Sequence, residues 1–234
     1  MILIIGYLIV IGATLGGFMM AGGNPRLLMQ YSEFVSIGGI AIGLVVIASP
    51  LALLIALVGK IKVALKNEAV SKSEFIDLLK LLHELFSKAR RGGLIAIEDD
   101  VLAPKDSQIF SKYPSFINHP ERVEFLCNSL KPIIDGRLKP EQLSTMLQGD
   151  YDAKEEEASH PVHVLNLLGD SLPGIGIIAA VMGIINTMAS ISDGPEAVGE
   201  HVAAALVGTF LGVLGAYGFV NPLSARIKLN NSVE

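Results

Sequence analysis

Tryptophan is absent from this 234-residue chain, and cysteine occurs once, as Cys127. A single cysteine excludes any disulfide within the chain, and without a Cys/His cluster a structural zinc site is not expected. Anchoring at a membrane–water interface would fall to tyrosine, lysine and arginine. Apolar residues, by contrast, make up 51% of the chain, a fraction that favours an integral membrane protein.

Four apolar runs have the length of about 20 residues that an α-helix needs to cross a membrane. They cover residues 1–20, 35–58, 167–191 and 202–220. The first run has no preceding basic residue and is interrupted by glycines, so we interpret it as a retained helix rather than a signal peptide. The sequence therefore predicts an all-α integral membrane protein with four transmembrane helices.

Lysine and arginine are concentrated between the second and third runs and again after the fourth. Because cytoplasmic segments carry the excess of basic residues, the middle segment and both termini are predicted to be cytoplasmic. The predicted domains are helices one and two with a short periplasmic turn (1–58), a helical cytoplasmic domain (59–166), helices three and four (167–224) and a cytoplasmic tail (225–234).

The middle segment has the pattern of a folded helical domain. Apolar residues recur with helical spacing over 74–96, and Ser73 is a candidate cap at the start of that helix. Prolines divide the rest into shorter helices, including 122–134 and another that begins at Pro140. The acidic stretch 150–157 is predicted to be a solvated helix face or a hinge.

Glycines recur at a spacing of four in three of the apolar runs: Gly12 and Gly16, Gly39 and Gly43, Gly208 and Gly212. Glycine lets helix backbones approach closely in lipid. A single pair is not unusual because membrane helices are rich in glycine, but all the pairs together favour close packing or oligomerisation.

Asp170 is the only ionisable residue in a predicted span, and Pro173 follows it within one turn. An acid inside a span indicates function, whereas at the inner end of the span it could simply cap the helix. Pro173 and Pro222 each leave a helix carbonyl without its usual donor. The two prolines could be hinges that respond to protonation of Asp170, or they could only mark helix ends.

The middle of every predicted span lacks an ionisable side chain, and its main polar residues are Asn186, Thr187 and Thr209. Hydroxyl groups can line a water path but cannot store a proton near neutral pH. If protons cross the membrane through this protein, the mid-membrane carrier must come from another chain. This reasoning predicts an obligate partner with an acid in the membrane.

The chain resembles the MotA/PomA family of flagellar motor stator subunits in four stretches: 6–23, SKARRGGLIAIEDD (87–100), GDSLPGIGIIAAVMG (169–183) and GTFLGVLGAYGFVNP (208–222). The resemblance implies a homopentameric ring around two copies of a MotB- or PomB-type single-span partner, whose membrane aspartate carries the ion. It also implies that ion flow through this complex in the bacterial inner membrane produces torque on the rotor protein FliG, while peptidoglycan anchors the partner.

The resemblance assigns roles to particular residues. Arg90 and Glu98 match the charges that face the rotor. They would share one helix face if Gly92 and Gly93 did not break the helix between them. The residues that match the ion path and its hinges are Asp170, Pro173, Ala180, Thr209, Tyr217 and Pro222.

The coupling ion is expected to be the proton. Sodium-driven relatives have threonines at the positions of Ala180 and Gly208, where this chain has no hydroxyl. Relatives also often continue with a basic tail beyond the position of Glu234. The rotor or assembly role of such a tail is therefore open for this chain.

Several alternatives remain at this stage. An ExbB/TolQ-type energiser uses the same kind of proton-carrying partner but typically has three spans, and a stand-alone channel or transporter would need its own mid-membrane ionisable group. A pure membrane scaffold would tolerate replacement of Asp170. His160 and His163 could ligate a metal, but two solvated histidines are the simpler interpretation. Neither catalysis, a cofactor nor a nucleic-acid partner is expected.

Overall fold

A computed structural model describes residues 2–66, 72–189, 192 and 194–232. Over these residues the chain forms helices and turns without a strand, so the predicted all-α class is confirmed. The predicted ends at Met1, Ile191 and Glu234 lie outside the described residues.

The α-helices are α1 (Ile2–Met20), α2 (Tyr31–Ala48), α3 (Leu51–Lys66), α4 (Lys72–Gly92), α5 (Glu98–Leu102), α6 (Pro114–Ile117), α7 (Pro120–Ile134), α8 (Pro140–Ala189), α9 (Pro195–Leu214) and α10 (Asn221–Asn231). Short 3₁₀ turns are formed by Pro25–Leu28, Leu94–Ile97 and Phe110–Lys112, and a π-helical segment, Gly215–Val220, joins α9 to α10.

By length and composition, four helical stretches among the described residues could cross a membrane: Ile2–Met20, Pro25–Ala48, Glu141–Ala189 and Pro195–Asn231. The last two are longer than the predicted spans because their helices continue beyond the apolar part. Over the described residues, the first, third and fourth apolar runs are helical throughout.

The second run was predicted as one helix over 35–58, and this prediction is wrong. The helix ends before Ser49, whose backbone is extended with φ −135° and ψ 133°. Pro50 explains the break, because a proline has no N–H to donate and pushes the preceding residue out of the helical region. α2 also begins earlier than predicted, at Tyr31.

Two compact units are formed, one by residues 1–68 with 158–234 and the other by 69–157, and α8 supplies residues to both. The first unit has two apolar clusters. One joins α3, α8 and α10 around Leu57, Val162 and Ile227; the other joins α2, α8 and the π-helical segment.

The second unit is organised around α4 and α7. Its core consists of Leu81, Leu85, Ile97, Val101, Phe110, Tyr113, Phe116, Val123 and Cys127. Cys127 is buried in this core, and burial raises the pKa of its thiol. The helix predicted over 74–96 begins earlier and ends at Gly92, so Ser73 lies inside it and does not cap it.

The acidic stretch 150–157 lies inside the continuous helix α8, and all of its residues are exposed. The structure therefore favours the solvated face over the hinge for this stretch. Pro140 is at the start of α8, as predicted.

Candidate functional site

Helices α8 and α9 meet along a glycine seam, formed by Gly176, Gly183, Gly208 and Gly212. A Cβ built on Gly212 would lie 2.6 Å from the carbonyl oxygen of Leu172 and 2.7 Å from the Cα of Gly176. A Cβ on Gly183 would lie 2.9 Å from the Cβ of Ala205. These backbones can meet because the seam positions carry no side chains.

The contacts along the glycine seam set which residues of α8 and α9 are at the same level. Gly212 is opposite Gly176, and Gly208 is opposite Ala179 and Ala180. At the other end, Gly169 meets the side chain of Asn221. Between these two contacts, α8 advances by seven residues, from Gly169 to Gly176. The segment packed against it advances by nine, from Gly212 to Asn221.

The additional residues lie in the π-helical segment, Gly215–Val220. A π turn closes its hydrogen bond over five residues instead of four and is common at functional sites. Here the N–H of Asn221 donates to the carbonyl of Ala216. Pro222 follows immediately and has no N–H. The helix therefore lacks one backbone hydrogen-bond donor directly after the π-helical segment.

Pro173 lies at the level of this irregular segment. It is inside the continuous helix α8, and the adjacent Leu172 lies 3.6 Å from a Cβ built on Gly215. Pro222 itself comes after the π-helical segment, at the start of α10. The structure therefore brings Pro173 together with the π-helical segment rather than with Pro222.

The π-helical segment is held by α1. The hydroxyl of Tyr7 donates a 3.0 Å hydrogen bond to the carbonyl of Phe219, and the two rings lie 5.1 Å apart. Val10, one turn further along α1, is 3.0 Å from a Cβ built on Gly218. The sequence analysis missed this contact because it pairs residues more than 200 positions apart.

Asp170 is well inside α8, so the N-cap interpretation is wrong for this residue. Its side chain is exposed in the single chain, next to Gly169, which packs against Asn221. Tyr217 is also exposed, at 67%, and extends from the π-helical segment. Both side chains are thus available to a neighbouring chain.

Ala180 and Thr209 are both half-buried and lie at the glycine seam. The backbone nitrogen of Ala180 is 3.3 Å from a Cβ built on Gly208, and the Cα of Thr209 is 3.3 Å from one built on Gly176. The structure thus brings Ala180, Gly208 and Thr209 to the same stretch of the seam, and the first two are the predicted ion-selectivity positions.

The sequence analysis missed an acid at this level. Glu33 is in the first turn of α2 and inside the candidate membrane stretch Pro25–Ala48, so Asp170 is not the only ionisable residue of the apolar helices. A Cβ on Gly208 would lie 2.5 Å from Oε2 of Glu33. Glu33 was missed because the second apolar run begins at Val35, two residues after it.

Arg90 and Glu98 lie in the second unit on either side of a chain reversal. α4 ends at Gly92, and Gly93 has a positive φ of 80°, a conformation that favours glycine. Glu98 begins α5 after a 3₁₀ turn. The two charges are therefore on different helices, and the shared helix face is not formed.

A buried polar network fixes the segment that carries Glu98. Asp100 is only 6% exposed and accepts a 2.6 Å hydrogen bond from the Lys88 ammonium and another of 2.6 Å from the Ser107 hydroxyl. The Ser107 oxygen also accepts from the backbone N–H groups of Ile109 and Phe110. Lys88 is two residues before Arg90, so this network connects the segment that carries Arg90 with the segment that carries Glu98.

A second polar cluster lies on α4. Glu84 accepts hydrogen bonds from Lys112 at 2.6 Å and from the Tyr113 hydroxyl at 2.9 Å. The Lys112 hydrogen bond, with that of Tyr113, holds the pKa of Glu84 below its ordinary value. Burial and the adjacent Glu84 raise the pKa of Tyr113.

His160 and His163 are both exposed on α8. Over the described residues, no group of three or more His, Cys, Asp and Glu side chains could hold a metal ion. This geometry favours the interpretation of two solvated histidines.

Family matches agree with this arrangement. Residues 4–93 match the family described as Motility protein A N-terminal, and residues 118–234 match the MotA/TolQ/ExbB proton channel family. The chain belongs to the Motility protein A family. Motility protein A of Salmonella typhimurium is 37% identical over 97% of this chain and 77% of its own length. Chemotaxis protein LafT of Vibrio parahaemolyticus is 34% identical over 97% of this chain and 81% of its own length.

Two solved structures have the same fold. The structure of C. jejuni MotAB aligns with a TM-score of 0.78 over 98% of this chain and 82% of that chain, at 23% identity. The flagellar MotAB stator complex from Bacillus subtilis aligns with a TM-score of 0.76 at the same coverage and identity. The family models and the relatives at 34–37% identity confirm the resemblance to the MotA family noted in the sequence, and these two structures show the shared fold.

Proposed function

We propose that this chain is a stator subunit of the bacterial flagellar motor, which converts ion flow across the inner membrane into torque. The observation that carries the proposal is the family relationship over nearly the whole chain, at 37% identity to a Motility protein A. The glycine seam and the π-helical segment supply the packed but irregular helix pair that such a device needs.

Four transmembrane helices, with both termini and the unit around α4 and α7 in the cytoplasm, would account for the charge distribution. Basic residues are frequent in that unit and in α10, whereas the Pro25–Leu28 turn holds Arg26 alone. An excess of basic residues on the cytoplasmic side supports this orientation.

The partner we propose is a single-span, peptidoglycan-anchored subunit of the MotB type. The solved structures with this fold are MotAB complexes. Asp170 and Tyr217 are exposed beside the seam, where a partner helix with an acidic residue could receive the ion.

A homopentameric ring is proposed for the same complex. α1 has no buried residue among those described, and no atom lies within 4 Å of a Cβ built on Gly12, Gly16, Gly39 or Gly43. These open small-residue faces suit contacts with neighbouring subunits or lipid.

The coupling ion we propose is the proton. Sodium binding requires several oxygen ligands, and the seam has no hydroxyl at Ala180 or Gly208. A proton needs only a carboxylate and a chain of water molecules. No bound cofactor is needed for this function.

Torque would act on the rotor protein FliG through Arg90 and Glu98. Arg90 is exposed and Glu98 is half-exposed, and no ion pair among the described residues engages either one. The network of Lys88, Asp100 and Ser107 would hold both charges in position against the load.

An ExbB/TolQ-type energiser is not favoured. The match over residues 118–234 includes those proteins, but the match over 4–93 is to the Motility protein A N-terminal family. The curated relatives at 34–37% identity are motility and chemotaxis proteins.

The test is swimming speed in a flagellated strain without stators that is given this chain and its cognate partner, with and without sodium. Swimming in sodium-free medium that a protonophore abolishes is the expected result. Swimming only with sodium would support the stator function but contradict the proton as the coupling ion. No swimming, with both chains present in the membrane, would contradict the stator function.

A further inference from the structure

Glu33 is a buried acid to which the proposed function assigns no role. It is 6% exposed, in the first turn of α2. Ser32 forms a hydrogen bond to its side chain, whereas Oε2 has no hydrogen-bond partner among the described residues. Oε2 lies against Gly208, where any side chain would displace it.

Oε2 is buried against the glycine seam. The nearest α8 atoms to the Gly208 position are the Cβ of Ala179 at 3.2 Å and the backbone nitrogen of Ala180 at 3.3 Å. An ionised carboxylate in such a place, without a counter-ion, carries a large desolvation penalty. Burial of Oε2 without a partner among the described residues therefore favours a Glu33 that carries a proton or binds a cation.

Other ionisable groups of the packed elements do not neutralise it. They are Arg26 on the 3₁₀ turn against α9, Glu196, Glu200 and His201 on α9, Asp170 on α8, and Lys60, Lys62 and Lys66 on α3. No salt bridge between described residues joins Glu33 to any of them. His201, the nearest along α9, is seven residues from Gly208, about 10 Å along a helix.

We propose that Glu33 is a proton-carrying residue of the ion path and that its carboxylate binds against Gly208 of the glycine seam. This proposal rests on the proposed stator function. A proton from the outer aqueous phase binds the Glu33 carboxylate and neutralises it. It then passes through water to the next carrier and restores the carboxylate. No other bond and no electron is transferred.

The position of Glu33 suits an entry step. α2 begins just after the turn that the proposed orientation places outside, so Glu33 is on the outer side of the path. Ala180 marks the level of its carboxylate and is ten residues from Asp170, about 15 Å along α8. The chain thus has acids at two levels beside the α8–α9 pair, Glu33 on α2 and Asp170 on α8. The partner's carrier would transfer the proton between these levels.

The test compares proton flux through the complex of this chain and its cognate partner in vesicles with an imposed pH gradient. Glu33→Gln keeps the shape but cannot release a proton, so flux should fall at least about tenfold while partner binding is unchanged. Glu33→Asp should retain part of the flux. Glu200→Gln, an exposed acid on α9, is the matched control and should conduct normally. Normal flux in Glu33→Gln would overturn the proposal.

A second variant tests the contact between the Glu33 carboxylate and Gly208. Gly208→Ala should displace the carboxylate and reduce flux. Adding Glu33→Ala should not restore flux, because it relieves the obstruction but also removes the carrier. Recovery of flux in the double variant would overturn the proposal.

Infrared spectroscopy of the same complex separates this proposal from the stator function. A protonated-carboxyl band that Glu33→Gln removes is expected, even if the wild-type complex drives no rotation. Absence of that band from the wild type across the pH range would overturn the assignment. A wild-type flux that requires sodium and does not depend on the pH gradient would also overturn the assignment, because Glu33 would then hold a metal cation.

Discussion

At the scale of single residues, Gly212 makes the closest contacts with backbone atoms among the seam glycines of α9. We expect Gly212→Ala to destabilise the protein by about 1–3 kcal/mol, because a Cβ there would overlap the backbone of α8. Thermal unfolding of the purified protein in detergent measures this loss.

Gly199 provides the control in the same helix, since no atom lies within 4 Å of a Cβ built there. Gly199→Ala should leave the unfolding temperature unchanged or raise it, because alanine favours the helix. Equal effects of the two substitutions would show that the seam contact does not limit stability.

The Glu84 cluster predicts a pH dependence of stability. The pKa of Glu84 is lowered in the folded state, chiefly by its hydrogen bond from Lys112. The resulting stabilisation is present above the unfolded glutamate pKa of about 4.3 and is lost as pH falls through the lower folded value. Glu84→Gln should therefore flatten the acid side of the stability–pH curve.

Denaturant unfolding at a series of acidic pH values measures this effect. Glu141→Gln is the control, because Glu141 is exposed and has no ion pair among the described residues. If both variants keep the wild-type slope at acidic pH, the interaction of Glu84 with Lys112 contributes nothing to stability.

At the scale of secondary-structure elements, the π-helical segment and its contact with α1 are the feature most suited to movement. Tyr7→Phe removes the donor to the Phe219 carbonyl but keeps the ring contact. We expect normal assembly but altered swimming speed, because one hydrogen bond contributes about 1 kcal/mol to the balance between two helix arrangements.

Tyr31→Phe is the matched control, since Tyr31 is exposed at the start of α2 and makes no such bond among the described residues. Swimming speed and membrane levels of both variants should be measured together. Wild-type speed in Tyr7→Phe would show that this contact does not influence torque.

Element types were predictable, but their ends were less so. Apolar run length was enough to identify the membrane helices, and proline positions marked α7 and α8. The start of α2 was misplaced because a hydropathy criterion penalises Glu33, although an acid in the first turn favours a helix. Gly93 likewise ends α4 through its positive φ, which the alternation of apolar residues did not reveal.

At the scale of the whole molecule, the ring is the principal remaining prediction. The purified complex should contain five copies of this 24.8 kDa chain around two copies of the partner. The open glycine faces of α1 and α2 provide surfaces for such contacts. Native mass spectrometry of the detergent-solubilised complex gives the stoichiometry directly, and a monomeric or dimeric chain with bound partner would contradict the ring.

The sequence by itself determined the all-α class, the apolar helices and the family, because helix type and membrane length depend on local periodicity and run length. The roles expected of Pro173, Pro222 and Asp170 also came from local pattern. Only the tertiary structure decided that Glu33 is buried on Gly208 and that Tyr7 binds the π-helical segment. The physical reason is that burial and hydrogen bonding depend on which distant residues meet, and helix packing alone settles that.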